Sequence, residues 1–188
     1  MPASPVQPTA DRPTEPADSA SDDPLSAAEP DADPAIEVDI DPALQLGSDD
    51  VAWMIDRMGD ALRHLDLDQP RVGLALLADG EMGRLHEEYK RQPGPTDVLT
   101  FDLADADTPA VSVDGDIAIG WQEAQRRAEE LGHPVRHEAL LYAVHGLMHL
   151  LGEDDATKAQ AARMHAREDA VLEAIGVGAV YGRDGGAA

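Results

Sequence analysis

The chain has 188 residues, 43% of them hydrophobic, and a formal net charge of −24 at pH 7. This length gives room for one domain with a sizeable core. The absence of cysteine excludes disulfides and thiolate metal sites, and the charge argues against a broad basic face that binds nucleic acid non-specifically. Because the sequence contains neither a bilayer-length apolar run nor a basic and apolar leader, we expect a cytoplasmic protein without membrane contacts.

The N-terminal region differs in composition from the rest of the chain. Residues 1–34 consist mainly of Pro, Ala, Ser, Thr, Asp and Glu, and they hold eight of the 14 prolines. Residues 1–50 carry 13 of the 38 acidic side chains but one basic side chain, Arg12, and so have a net charge of −12. Such a segment buries too little apolar surface to offset its ordering entropy. We therefore expect a disordered acidic tail at 1–34, a folded domain at 35–180 and a flexible C-terminus at 181–188.

From residue 35 onward the pattern of apolar residues predicts mixed secondary structure. Strands are predicted at 35–40, 71–77 and 113–119, with extended chain at 96–101. Between and after them, helices are predicted after Ser48, at 79–90, at 122–131, after Pro134 and at 156–175. Ser48 and Asp79 are predicted to cap the first two helices, Gly132 to close the third and Pro134 to open the fourth. This order predicts a single α+β domain with a small mixed four-stranded sheet and about five helices.

The helix that follows Pro134 carries a candidate metal site. His145 and His149 are four residues apart in an apolar run, so both imidazoles leave the same face of the helix. Gly152 allows a left-handed turn that returns Asp155 to the two rings as a third ligand. Three protein ligands with one open position are typical of catalytic zinc. We predict one zinc ion on a central buried helix.

An isolated pair of histidines at this spacing more often has only a structural role. Here, however, burying two unpartnered imidazoles would cost about 1–3 kcal/mol each, which a shared metal would offset. The spacing also matches that of the metzincin metalloproteases, but Gly146 stands where those enzymes have their general base, a glutamate.

Three blocks of sequence resemble the YbeY family of bacterial endoribonucleases and rRNA maturation factors. They lie in the family's order and spacing, and their sequences are YKRQPGPTDVLTF at 89–101, GDIAI at 115–119 and HGLMHLLGEDD at 145–155. The resemblance implies zinc ligands at His145 and His149. The third family ligand is commonly His, where this chain has Asp155, and the family's arginine after the tyrosine falls on Lys90, with Arg91 beside it.

The resemblance implies a zinc-dependent endoribonuclease that prefers single-stranded RNA and acts in 16S rRNA 3′-end maturation and ribosome quality control. Its expected partners are single-stranded RNA, rRNA precursor and ribosomal particles, without DNA, and we expect a monomer. Lys90 and Arg91 would position the phosphate; lysine keeps the charge but lacks the planar fork of arginine. Two alternatives remain open at this point: a zinc-binding ribosome-assembly factor with little or no catalysis, and a metalloprotease.

Overall fold

The computed structural model describes residues 33–105, 108 and 111–178. It contains nine elements in this order: β1 (Ala35–Ile40), α1 (Ser48–His64), β2 (Arg71–Leu77), α2 (Asp79–Lys90), β3 (Val98–Asp102), β4 (Asp114–Gly120), α3 (Trp121–Leu131), α4 (Val135–Leu150) and α5 (Lys158–Ala174). The predicted α+β domain with a mixed four-stranded sheet and five helices is confirmed. Most of the predicted tail and the whole of 181–188 lie outside the described residues.

The sheet has the strand order β1-β2-β4-β3. Strands β1, β2 and β4 run parallel to one another, and the edge strand β3 pairs antiparallel with β4. One face bears the alternate apolar residues of β2 and β4, such as Leu74 and Ile117, and contributes to the main core with α1, α4 and α5. In this core α5 packs on α1 and α4. The other face packs against α2 through a smaller cluster around Met82 and Leu99. The two faces therefore have separate cores.

Helix α4 lies in the middle of the main core and contacts α1, α3, α5, β3 and β4. Ten of its residues are buried. At Gly146 the helix approaches the sheet so closely that an added Cβ would meet Ile117 Cγ2 at 2.7 Å and Thr100 Cγ2 at 3.1 Å. A glycine is required by this close approach, which fixes the height of the neighbouring histidines above β3 and β4.

Two predicted helix caps are wrong. Helix α1 begins at Ser48 itself, its N-cap is Gly47, and the Ser48 hydroxyl donates to Asp49 instead of accepting a helix N–H. Helix α2 begins at Asp79, and its N-cap is Ala78. The Asp79 carboxylate does not cap the helix; it accepts hydrogen bonds from Arg126 of α3 at 2.7 and 3.1 Å. Helix α5 has a side-chain cap: Thr157 is its N-cap, and the Thr157 hydroxyl accepts a hydrogen bond from the Gln160 N–H at 3.2 Å.

In the described part of the chain, no helix is both long enough and apolar enough to cross a membrane.

Candidate metal centre

Three side chains converge at the C-terminal end of α4. His145, His149 and Asp155 each offer a ligand atom, and these atoms all lie within 4.8 Å of one another. The two Nε2 atoms are 3.1 Å apart, and Asp155 Oδ2 lies 3.9 Å from His145 Nε2. The structure therefore brings together the three residues that the sequence predicts as metal ligands.

The turn after α4 is what returns Asp155 to the histidines. Gly152 has a φ of 82°, a left-handed conformation that favours glycine. Its N–H donates to the His149 carbonyl at 2.9 Å, and the Glu153 N–H donates to the Met148 carbonyl at 3.0 Å. These two bonds form a Schellman motif, which ends the helix and reverses the chain direction.

The Nδ1 atoms of both imidazole rings are hydrogen-bonded. His145 Nδ1 lies 2.8 Å from Glu168 Oε1, and His149 Nδ1 lies 3.0 Å from the Glu153 carbonyl oxygen. Because a carboxylate and a carbonyl oxygen can only accept, Nδ1–H is the donor in each case. In the neutral form of each ring the lone pair is then on Nε2, and the two Nε2 atoms lie close to each other and to the Asp155 carboxylate. This donor set fits a divalent cation such as zinc, which removes the repulsion between the lone pairs.

The electrostatic surroundings of His145 are negative. Burial alone would lower the pKa of His145, but its hydrogen bond with Glu168 and the negative charges of Glu168, Asp155 and Asp97 together raise that pKa above its ordinary value. The same charges that favour a proton on this ring favour a metal cation in its place. The side chain of His145 is 15% exposed and that of Asp155 is 43% exposed, so the ligand cluster is open to solvent on the Asp155 side.

Comparison with known proteins identifies the family. A family model described as Endoribonuclease YbeY matches residues 45–176. The chain belongs to the YbeY endoribonuclease family. The curated Endoribonuclease YbeY of Roseiflexus sp. (strain RS-1) is 39% identical over 113 residues, which cover 56% of this chain and 71% of that protein. The Endoribonuclease YbeY of Synechococcus sp. (strain RCC307) is 35% identical over 127 residues, covering 65% of this chain and 79% of that protein.

A solved structure supports the fold. The solution structure of TM1509 from Thermotoga maritima matches with a TM-score of 0.55, covering 74% of this chain and 88% of that one. The two sequences are 23% identical. This similarity shows the shared fold, and the matches to YbeY sequences show the family.

Gly146 distinguishes this YbeY chain from a metalloprotease. Metzincins and other zincins carry the general base directly after the first histidine. Here that position faces the sheet, where a Cβ would meet Ile117, Thr100 and Val98. A glutamate side chain at residue 146 would therefore clash with β3 and β4.

The two predicted phosphate-binding cations lie at the C-terminal end of α2. Lys90 is the last residue of α2, and Arg91, in the left-handed conformation with φ 58°, ends that helix. Next to Lys90, the Tyr89 ring packs edge-on against Phe101 with centroids 4.9 Å apart. Phe101 belongs to the α2 side of the sheet, whereas its neighbour Thr100 faces Gly146 of α4. The role of Lys90 and Arg91 in binding phosphate stays a prediction.

The site contains one residue that the sequence reading missed, Glu168. This residue lies on α5 with an exposure of 0% and accepts the hydrogen bond from His145. A signal was present, because residue 168 falls in phase with the apolar stripe that includes Met164, Val171 and Leu172. A carboxylate at a core position of an amphipathic helix indicates a buried polar partner.

Proposed function

We propose that this chain is a zinc-dependent endoribonuclease that prefers single-stranded RNA and acts in 16S rRNA 3′-end maturation and ribosome quality control. The observation that carries the proposal is the convergence of two histidine nitrogens and one carboxylate oxygen within 4.8 Å in a member of an endoribonuclease family. We propose that His145, His149 and Asp155 hold one zinc ion. Single-stranded RNA, rRNA precursor and ribosomal particles are the proposed partners, and the cytoplasm is the proposed location.

Each residue has a distinct part in this proposal. When bound, zinc supplies Lewis-acid chemistry: it lowers the pKa of a water molecule and polarises a phosphoryl oxygen. His145 and His149 supply neutral nitrogen ligands whose orientation is set by their Nδ1–H bonds. Asp155 supplies an anionic ligand on the exposed side, so the site has less net positive charge than one with three histidines. Lys90, with Arg91 beside it, would hold a phosphate of the RNA strand.

The proposed catalytic domain is 35–180, and the segments 1–34 and 181–188 are proposed to be dispensable for metal binding. Residues 1–34 have the composition of a segment that cannot form a core. Deletion of 1–34 is therefore expected to leave zinc content and melting temperature unchanged. A loss of several degrees on deletion would show that the proposed boundary is wrong.

The proposal is tested by measuring metal content and RNA cleavage in the same preparations. The parent is expected to hold about one zinc ion per chain and to cleave single-stranded RNA. His149→Ala and Asp155→Ala should lose both properties. His64→Ala is the matched control, because His64 is an exposed residue at the end of α1, and it should keep both.

A second candidate function is a zinc-binding ribosome-assembly factor with little or no catalysis, favoured by Lys90 and Asp155 at positions where the family commonly has Arg and His. Stoichiometric zinc without cleavage of any RNA, ribosomal precursor included, would select this function. Equal zinc in the parent and in Asp155→Ala would remove Asp155 from the ligand set.

A further inference from the structure

A buried carboxylate lies behind the histidine pair. Glu168 comes from α5, 23 residues after His145, and none of its side chain is exposed. Its Oε1 atom is 2.8 Å from His145 Nδ1, on the side of the ring opposite to the ligand nitrogen Nε2. The contact therefore joins α5 to the metal ligands through the ring of His145.

Packing does not explain a glutamate at this position. A carboxylate removed from water is costly unless it is paired and hydrogen-bonded. Glu168 Oε2 is buried and has no hydrogen-bond partner among residues 33–105, 108 and 111–178. The neighbours of Glu168 along the buried stripe of α5 are Met164, Val171 and Leu172, and another apolar side chain would continue that stripe without this cost. The benefit of Glu168 must come through His145.

We propose that Glu168 is a positioning residue for the metal centre. Its carboxylate keeps the proton of the His145 ring on Nδ1 and turns Nε2 toward His149 and Asp155. A carboxylate partner also makes the ring a stronger donor to a cation, as in carboxylate–histidine–zinc arrangements. This inference rests on the proposed zinc site and extends it to a residue that does not touch the metal.

The two histidines donate their Nδ1–H hydrogen bonds to different kinds of acceptor. The Nδ1–H of His149 donates to a neutral backbone carbonyl, that of Glu153, whereas the Nδ1–H of His145 donates to a charged group. Together with Asp155, Glu168 places two carboxylates around a divalent cation and would bring the net charge of the loaded site close to zero. The negative charge of Glu168 therefore contributes to cation affinity in addition to orienting the ring.

Two substitutions separate the charge from the hydrogen bond. Glu168→Gln keeps an oxygen that accepts from Nδ1–H and removes the charge, whereas Glu168→Ala removes both. Loss of such an outer partner typically lowers metal affinity about 10- to 100-fold. We expect a loss of about 10-fold for Glu168→Gln and about 100-fold for Glu168→Ala, the two ends of that range. Glu173→Gln is the matched control, because Glu173 is an exposed carboxylate on the same helix.

The experiment measures zinc dissociation constants of the full chain by competition with a chromophoric chelator. In parallel, ring ¹⁵N NMR of the zinc-loaded protein reports the position of the His145 proton, which should be on Nδ1 in the parent and in Glu168→Gln. A merely structural glutamate would change the melting temperature of the metal-free protein without this order of zinc affinities. If Glu168→Ala does not fold, the zinc affinity of Glu168→Gln relative to the parent decides whether the inference holds.

The outcomes separate this inference from the zinc site itself. If the parent and Glu168→Gln bind zinc equally tightly, the role assigned to Glu168 is overturned and the zinc site stands. If the parent binds no zinc, the proposed function fails and the inference fails with it. The ordered loss from parent to Gln to Ala, with Glu173→Gln unchanged, supports both.

Discussion

Replacing Gly146 by alanine tests how closely α4 lies against the sheet beside the metal ligands. The new Cβ would meet three methyl groups, Ile117 Cγ2 at 2.7 Å, Thr100 Cγ2 at 3.1 Å and Val98 Cγ2 at 3.3 Å. All three belong to β-branched side chains, which are stiff at χ1 and give way poorly. The cost of overpacking should therefore lie near the upper part of its usual range, about 2–3 kcal/mol.

Alanine also gains about 1 kcal/mol over glycine in helix propensity. The free energy of unfolding of Gly146→Ala should therefore fall by about 1–2 kcal/mol, measured by urea denaturation. The matched control is Gly80→Ala in α2, where a Cβ meets no atom of the described chain within 4 Å; this variant should be unchanged or stabilised by up to about 1 kcal/mol. If Gly146→Ala were as stable as Gly80→Ala, the close approach of α4 to β3 and β4 would be refuted.

Two further predictions concern a buried acid and the phosphate site. Glu138 is a buried residue in the first turn of α4. Burial raises the pKa of its carboxyl group, so the folded protein binds this proton more tightly than the unfolded chain does. The associated stability is lost as pH rises above the ordinary pKa of 4.5. In the Glu138→Gln variant, the urea midpoint should fall less than in the parent between about pH 4 and about pH 8. If the midpoints of the two proteins fell in parallel with pH, the role of Glu138 would be refuted. Lys90→Ala should slow RNA cleavage without releasing zinc, and Lys90→Arg should match or exceed the parent if a bidentate phosphate contact helps; unchanged rates in both would remove Lys90 from the site.

The features that the sequence predicted correctly depend on short-range pattern. Histidines four residues apart share a helix face wherever the helix packs, and Gly152 permits the left-handed turn that brings Asp155 back to them. The alternation of apolar and polar residues predicts the strand at 35–40, and a short apolar run predicts the strand at 71–77. These elements need no knowledge of tertiary partners.

The features that were missed depend on contacts between distant segments. Asp79 has the side chain of a helix cap, but Arg126, 47 residues away, binds its carboxylate instead. Glu168 and His145 are 23 residues apart on different helices, so their pairing becomes visible only once α4 and α5 are packed together. The glycine at 146 likewise shows its purpose only when the β-branched methyl groups of β3 and β4 are in place.

Cleavage of a single-stranded RNA should be followed through one cycle of metal removal and return. The purified chain is expected to cleave the RNA, to lose cleavage when a chelator removes the metal, and to regain it when about one equivalent of zinc is restored. His149→Ala should show no cleavage at any stage, because one of the three ligands is missing. Cleavage that survives both the chelator and His149→Ala would contradict a zinc-dependent nuclease at His145, His149 and Asp155.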